Sequence, residues 1–423
     1  MTIKEIVEVF YAPHKAFKRI VQNPKFLAAI IVLIIYVAVQ VGSSYVVSSR
    51  SYLEQTQPTG TQSDVWTENP TLWQASPGVA ITTNHVDYIN SSVLYYNNTS
   101  IEFITNNAST IQIFLSDFGQ SVNCGPDGFK NISIRVKIIS PTSIPDNVTL
   151  YLFSLSPANY FAYDLTASFS NTTIAQGQFW NNITVPLNTD GWISSNSATT
   201  WTNITGLRMD FGWPGSSSIN LRVDGLFFRG IYKELLEINT TSVLTNAALS
   251  AATPFLFQWL LLTGLMYLLI KGLKGNVVWK PLMAAVGVAL VTLVVHAVIL
   301  TIIYAELLPN IYYPLEIVAA IPGEADAATL ALQNGLSQIF QISSYVQIAI
   351  WIWLFGLGTF IVRTITGMVY TPRVDILKPE TSAQPETEAS PVSLPQFGWA
   401  KSALVSAVSL ALTIIILGFL GIS

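Results

Sequence analysis

The chain of 423 residues holds one cysteine and three histidines, and only 10% of its residues are charged. Each scarcity excludes something. With Cys124 alone, no intrachain disulfide can form, so any extracellular part must be held by its own core. So few histidines and cysteines leave no metal-ligand spacing. P-loop, G-x-S-x-G and H-E-x-x-H motifs are also missing, and the chain is expected to be non-enzymatic and to carry no cofactor. A net charge of −4 gives no electrostatic footprint for nucleic acid. Charge vanishes altogether from five runs, residues 26–47, 253–270, 281–305, 343–362 and 402–422, none of which contains Asp, Glu, Lys or Arg. At 1.5 Å per helical residue, each comes close to or exceeds the roughly 30 Å of a bilayer's hydrocarbon core.

Half of the chain is apolar, 51% by count, with a positive mean hydropathy of +0.47, the profile of a polytopic membrane protein with a soluble portion. Lysine and arginine collect on alternate connections: Lys4, Lys15, Lys18, Arg19 and Lys25 before the first run, Lys271, Lys274 and Lys280 after the second, and Arg363, Arg373, Lys378 and Lys401 after the fourth. The connection 306–342 has none. Positive residues favour the cytoplasmic side, which predicts a multi-pass plasma-membrane protein with the N-terminus inside, and the C-terminus and residues 50–250 outside. The glycosylation acceptors agree: Asn90, Asn97, Asn98, Asn107, Asn131, Asn147, Asn171, Asn182, Asn203 and Asn239 head ten N-x-S/T sequons, all between the first and second runs. Residues 1–25 read as an amphipathic cytoplasmic segment, lying on the membrane or packed against the protein's own helices. Residues 374–396, rich in Pro, Glu, Ser and Thr, read as a disordered cytoplasmic loop.

Between the first two runs the period changes from helical to two. Ile132, Ile134, Val136 and Ile138 alternate with Ser133, Arg135 and Lys137, and residues 148–152, 183–187, 207–211 and 221–224 do the same. With 101–104, 111–115 and 163–167 this makes about eight short strands, predicting an antiparallel β-sandwich of jelly-roll type over 64–230, with a linker or irregular edge before it. The expected fold is therefore a bundle of five transmembrane helices carrying an extracytoplasmic sandwich inserted between helices 1 and 2.

Candidate functional residues fall in both parts. Trp180, Trp192 and Trp213, with Trp201, are close enough in sequence to gather at one end of a sandwich, where rings stack on sugars; core packing is the alternative. Asp164, Asp190, Asp210 and Asp224 leave a structural calcium ion open, although no D-x-D-x-D loop supports one. His296 is the sole ionisable side chain inside a run, as a relay, a ligand or a hydrogen-bonding partner of a neighbouring helix. Gly356, Gly358, Ala403, Ala407 and Ala411 are small residues at spacings that let helices approach closely, within the bundle or between copies in a homo-oligomer.

Two resemblances follow from particular stretches. Residues 11–24 (Tyr11-Ala-Pro13 to Asn23-Pro24), 267–275, 350–358 and 397–404 resemble the Yip1 domain family of five-span membrane proteins in order and topology. That resemblance implies a membrane-organising scaffold with other membrane proteins as partners. Residues 201–211 and 220–228, with Asp224-Gly225 at the I-D-x-I/L-x-F position of the second, are similar to the last two strands of galactose-binding-like jelly rolls and carbohydrate-binding modules. That one implies a receptor or adhesin for surface glycans, with the helices as anchor. A permease subunit is the third reading, and it requires a polar cavity reaching His296.

Overall fold

The computed structural model describes residues 2–60, 63–89, 98–169, 179–318, 324–367 and 396–421. The expected loop 374–396 lies almost wholly outside them, as do Asn90, Asn97 and Asn171. The chain divides into two compact units: residues 1–50, 239–309 and 336–423 in one, and 51–238 with 310–335 in the other.

The first unit is helical. Helices α1 (Thr2–Tyr11) and α2 (Pro13–Gln22) precede α3 (Leu27–Ser48); then come α4 (Leu235–Gly272), α5 (Trp279–Ala289) and α6 (Val291–Leu307). After α7 (Leu315–Val318), which belongs to the second unit, the chain continues in α8 (Ala325–Thr366) and α9 (Trp399–Phe419). Five segments are long and apolar enough to cross a membrane: Leu27–Ser48, Leu235–Gly272, Trp279–Leu307, Ala325–Thr366 and Trp399–Phe419. The third of these is α5 and α6 in succession, broken at Leu290, where ψ is 0°. Helix α4 is interrupted at Asn239, whose φ of −159° is non-helical and whose side chain accepts from Ser242 N. The amphipathic N-terminus packs on the bundle's own core through Ile6, Val9, Phe17, Ile20 and Val21, all buried with residues of α3, α4, α5, α6, α8 and α9. Of the two placements left open by the sequence, the structure adopts packing on the protein.

Close packing in the bundle rests on residues of two kinds. A Cβ added at Gly358 would meet Ser406 Oγ and Met266 Cε, and one at Gly287 would meet Ala29 and Trp259 within 2.7 Å. At Gly356 nothing lies within 4 Å. The buried face of α9 carries Ser402, Ser406, Ser409 and Thr413 beside Val405, Leu410 and Leu417, while Ala407 and Ala411 are exposed and line a groove of about 320 Å³ against α8. Two of these hydroxyls bond a carbonyl, Ser406 Oγ donating to Phe355 O of α8 and Thr413 Oγ1 to Ser409 O, whereas Ser402 Oγ and Ser409 Oγ have no partner among the described residues.

The second unit is the sandwich. Its strands are β1 (Ser51–Gln57), β2 (Gln74–Ala75), β3 (Ala80–Asn84), β4 (Ser100–Leu115), β5 (Asn131–Ser140), β6 (Asn147–Ser154), β7 (Ser156–Asp164), β8 (Asn181–Pro186), β9 (Ile193–Ser194), β10 (Ile204–Glu234) and β11 (Ile311–Tyr313). Two strands are long enough to serve both layers. The first part of β10 (204–212) pairs with 110–115 of β4 and with β6, and its second part (217–229) pairs with 101–108 of β4 and with β5; Gln57 and 52–55 of β1 close the run at 228–234. Register shifts at Gly212/Ser217 and Ser217/Ile219 mark the bend. Opposite it, Asn107 has a φ of +53°, the left-handed region that asparagine tolerates better than most residues. Inward residues from both layers, among them Leu207, Met209, Phe211, Leu221, Val223, Ile134 and Leu150, form one core.

Three sequence expectations need correction. The strand expected at 163–167 ends at Asp164 and gives way to a 3-10 turn over Thr166–Phe169. The expected insertion between helices 1 and 2 follows the third helix of the chain, because α1 and α2 come first; only in the count of candidate spans is it between the first and second. Nor is the sandwich wholly inserted there, since β11, from the connection after α6, adds to β1 in parallel. Of the linker and the irregular edge left open after Arg50, the structure adopts a strand, β1, bonded along β10.

Candidate functional site

The strand alternation that sends Leu207, Met209 and Phe211 into the core turns Arg208 and Asp210 to the other face of the same layer. Cross-strand register then assembles a row around each. Arg208 stands opposite Phe114 of β4 and Tyr151 of β6, with Gln74 beyond Phe114 and Ala162 beyond Tyr151. Asp210 stands between Gln112 and Thr149, with Asp164 beyond. Tyr160 of β7 meets Tyr151 edge to face, ring centres 5.2 Å apart.

The side chains are tied together. The Arg208 guanidinium lies 3.9 Å from the centre of the Tyr151 ring and its Nε is 3.0 Å from Asp210 Oδ1. Gln112 Nε2 donates to Asp210 Oδ2 at 3.2 Å. Desolvation raises the Asp210 carboxyl above its ordinary value, with Arg208 and Gln112 opposing the shift. Arg208 and Asp210 keep 26% and 23% of their side-chain surface open, so the face is held in shape yet reachable. Aromatic edges, a planar cation, a carboxylate and a carboxamide on one rigid layer can grip a molecule that is apolar on its C–H faces and hydroxylated at its rim.

The tryptophans are placed differently. Trp213 is buried, its Nε1 donating to Ser143 O. Trp201 stacks on Phe161 at 3.9 Å, and half-buried Trp192 sits edge-on to Trp201 while donating to Pro186 O. Trp180 packs in a separate cluster with Ile89, Phe227 and Leu315. Trp192 and Trp201 are brought together; Trp180 and Trp213 have other neighbours. Of the acceptor asparagines, Asn98, Asn107, Asn147, Asn182 and Asn239 are exposed, whereas Asn131 and Asn203 are half-buried.

A second cluster is sealed inside the unit. Asp64 and Asp224 are 0% and 2% exposed, and the Thr67 hydroxyl donates to Asp64 and lies 3.3 Å from Asp224 Oδ1. Backbone N–H groups of Thr67 and Leu226 donate to Asp64, those of Ile89 and Gly225 to Asp224. Burial pushes Asp64 up to about 6 and Glu68, half-buried nearby, up to about 7, while Asp224 rises well above the usual range through burial and the neighbouring Asp64. Asp164 and Asp190 are exposed elsewhere, and among the described residues no three acidic, histidine or cysteine side chains are grouped to hold a metal ion.

A third cluster fastens the connection 310–335. The Arg229 guanidinium holds Glu54 at 2.8 Å and also pairs with Glu316; Glu54 accepts from Leu315 N and Gly230 N as well. Arg135, 1% exposed, reaches Glu324 at 2.7 Å.

No protein-family model and no curated protein matches the chain. Among solved structures, the family 11 carbohydrate-binding module from Clostridium thermocellum in complex with a β-1,3-1,4-mixed-linked tetrasaccharide is similar at 14% identity and a TM-score of 0.24, over 41% of this chain and 94% of that one. A β-1,2-glucanase from Parabacteroides distasonis is 14% identical over 37% of this chain and 22% of that one, with a TM-score of 0.25. The glycoside hydrolase domain of Endo-D from Streptococcus pneumoniae R6 is 12% identical over 37% and 21%, with a TM-score of 0.21. At such scores the likenesses decide nothing about function.

Proposed function

We propose that the chain is a multi-pass membrane protein whose sandwich binds neutral saccharides on the face built by Arg208, Asp210, Tyr151, Tyr160 and Gln112. The observation that carries this reading is the pre-tied arrangement of Arg208 between Tyr151 and Asp210 on a layer that remains partly open. Its position relative to the membrane is supported by chain topology. The sandwich unit draws on the connection after the first span and on the connection after the third, which share a side if the spans alternate. Lysine-rich connections on the other side and sequons on this one support reading it as the outside of the cell.

The test is a titration of the full chain in lipid nanodiscs with a panel of soluble β- and α-linked oligosaccharides, beside Tyr151→Ala and Arg208→Ala. Weakening of about tenfold in each variant, about 1.4 kcal/mol, is expected. Binding that both variants keep, or no binding by a folded wild type, sinks the proposal.

A second reading, a Yip1-like scaffold, is favoured by the groove between α8 and α9, where Ala407 and Ala411 leave apolar surface open to another helix. Ala407→Trp would fill it; unchanged crosslinking of copies or neighbours in membranes would remove this reading.

A further inference from the structure

The runs free of charge inside the spans do not give the bundle a uniformly apolar interior. Side chains from α3, α4, α6, α8 and α9 enclose a cavity of about 400 Å³ whose wall includes Tyr36, Gln40, Gln258, His296, Gln347 and Trp351. Gln40 Nε2 donates to Tyr36 Oη at 3.0 Å, and His296 Nε2 is buried with no partner among the described residues. A second cavity, of about 330 Å³, shares Tyr36 and Gln40 with the first and continues past Ser43, Ser44 and Ser250 toward the C-terminal end of α3.

In the opposite direction the bundle closes. Leu262 and Met266 follow Gln258 along α4, and Leu357 and Ile361 follow Trp351 along α8; all four are 1–2% exposed. Gly358 is pressed against Ser406 and Met266 at that level, and Gly287 against Ala29 and Trp259. The polar space is therefore open at one end and blind at the other.

Polar groups are costly at such a place. An amide or imidazole moved from water into an apolar surrounding without a partner costs roughly 2–7 kcal/mol, so a wall of three carboxamides, an imidazole and a phenol is stable only beside something that answers it. Among the described residues no carboxylate, ammonium or guanidinium lines the space, so nothing there offers a counter-charge to an ion. Carboxamides and imidazole offer donors and acceptors together, which suits hydroxyl groups, and the flat rings of Tyr36 and Trp351 suit the C–H faces between them.

We infer that this serine-lined vestibule, leading to Gln258, His296 and Gln347, admits an uncharged polyhydroxylated molecule, free in solution or as the headgroup of a lipid. This site is separate from the sheet face and stands or falls without it.

The experiment uses the full chain in lipid nanodiscs carrying Gln258→Cys or, independently, Gln347→Cys on another helix, with Leu262→Cys as the sealed control. Each is treated with hydroxyethyl methanethiosulfonate, a small neutral water-soluble reagent. Thiol modification follows access, so both cavity positions should react about tenfold or more faster than Leu262→Cys. Methyl glucoside or octyl glucoside below its solubilising concentration should slow them about threefold by occupancy. Protection by methyl glucoside marks a free solute; protection by octyl glucoside alone marks a lipid headgroup. The inference is overturned if neither cavity variant outpaces the control, if neither glucoside protects, or if choline or phosphate protects as well as the glucosides do.

Discussion

Asp64 and Asp224 face each other across one threonine hydroxyl, with no basic side chain paired to them among the described residues. Carboxyls whose pKa is raised by folding bind protons more tightly in the native state than in the unfolded chain, so the stability they contribute is fully present below their unfolded values, near 4, and is lost as pH rises through their folded values. For Asp64 and Glu68 that loss falls between about 4 and about 7. Asp87, Glu102 and Glu316 are shifted the other way, and their stabilisation fails only below the ordinary carboxylate range. The sandwich should therefore tighten as pH falls from 8 to 5. Hydrogen exchange of the Leu226 and Ile89 amides, corrected for intrinsic rates, should show greater protection at pH 5, and Asp64→Asn should flatten the trend; protection that rises toward pH 8 would contradict it. Asp210 gives a separate expectation. Its raised carboxyl loses charge at a higher pH than an ordinary aspartate, so saccharide affinity should fall on acidification before surface carboxylates titrate, and in Asp210→Asn it should be low and pH-independent. None of this was readable from spacing. Asp64 and Asp224 are 160 residues apart, and the Arg208 face depends on which strands pair, whereas tryptophans are conspicuous in any sequence and here, at Trp213 and Trp201, serve packing.

Among the elements, β11 is held by only three pairings to β1, and the Glu54–Arg229–Glu316 group supplies what the short ladder lacks. Removing Arg229 leaves Glu54 buried without its cation, a change that typically costs about 3–5 kcal/mol. Arg229→Ala should release exchange at Ile311 and Leu315 together, whereas Glu316→Gln, which leaves the Glu54 pair intact, should loosen Leu315 less; equal effects would show that the group does not act as a clamp. At the α8–α9 contact, Gly358→Leu should cost about 1–3 kcal/mol by overpacking and lower the melting temperature of the purified protein, while Gly356→Leu, which meets open space, should leave it unchanged. The strand pattern of 132–138, 148–152, 183–187 and 207–211 was legible because period-two alternation is a local signal. The continuity of β4 through Asn106 and Asn107, and of β10 through Trp213-Pro-Gly, was not. Polar residues and glycine at a bend between layers look the same in sequence as a turn that ends a strand.

Across the whole molecule, the sandwich receives the chain at β1 and releases it at the end of β10, and these two stretches are hydrogen-bonded neighbours, Tyr52 opposite Glu234. Antiparallel partners lie about 5 Å apart, so the two ends of the segment from Ser51 to Glu234 could be joined by a short turn. Such a segment is a cassette: it can be gained, lost or moved between anchors without rerouting the helices on either side of it. The strand β11 qualifies that freedom. Transplanted without residues 310–335, the cassette would travel with the edge of β1 bare and with Arg229 and Glu54 missing their third partner. An anchor that accepts it must therefore bring its own covering strand for the edge of β1.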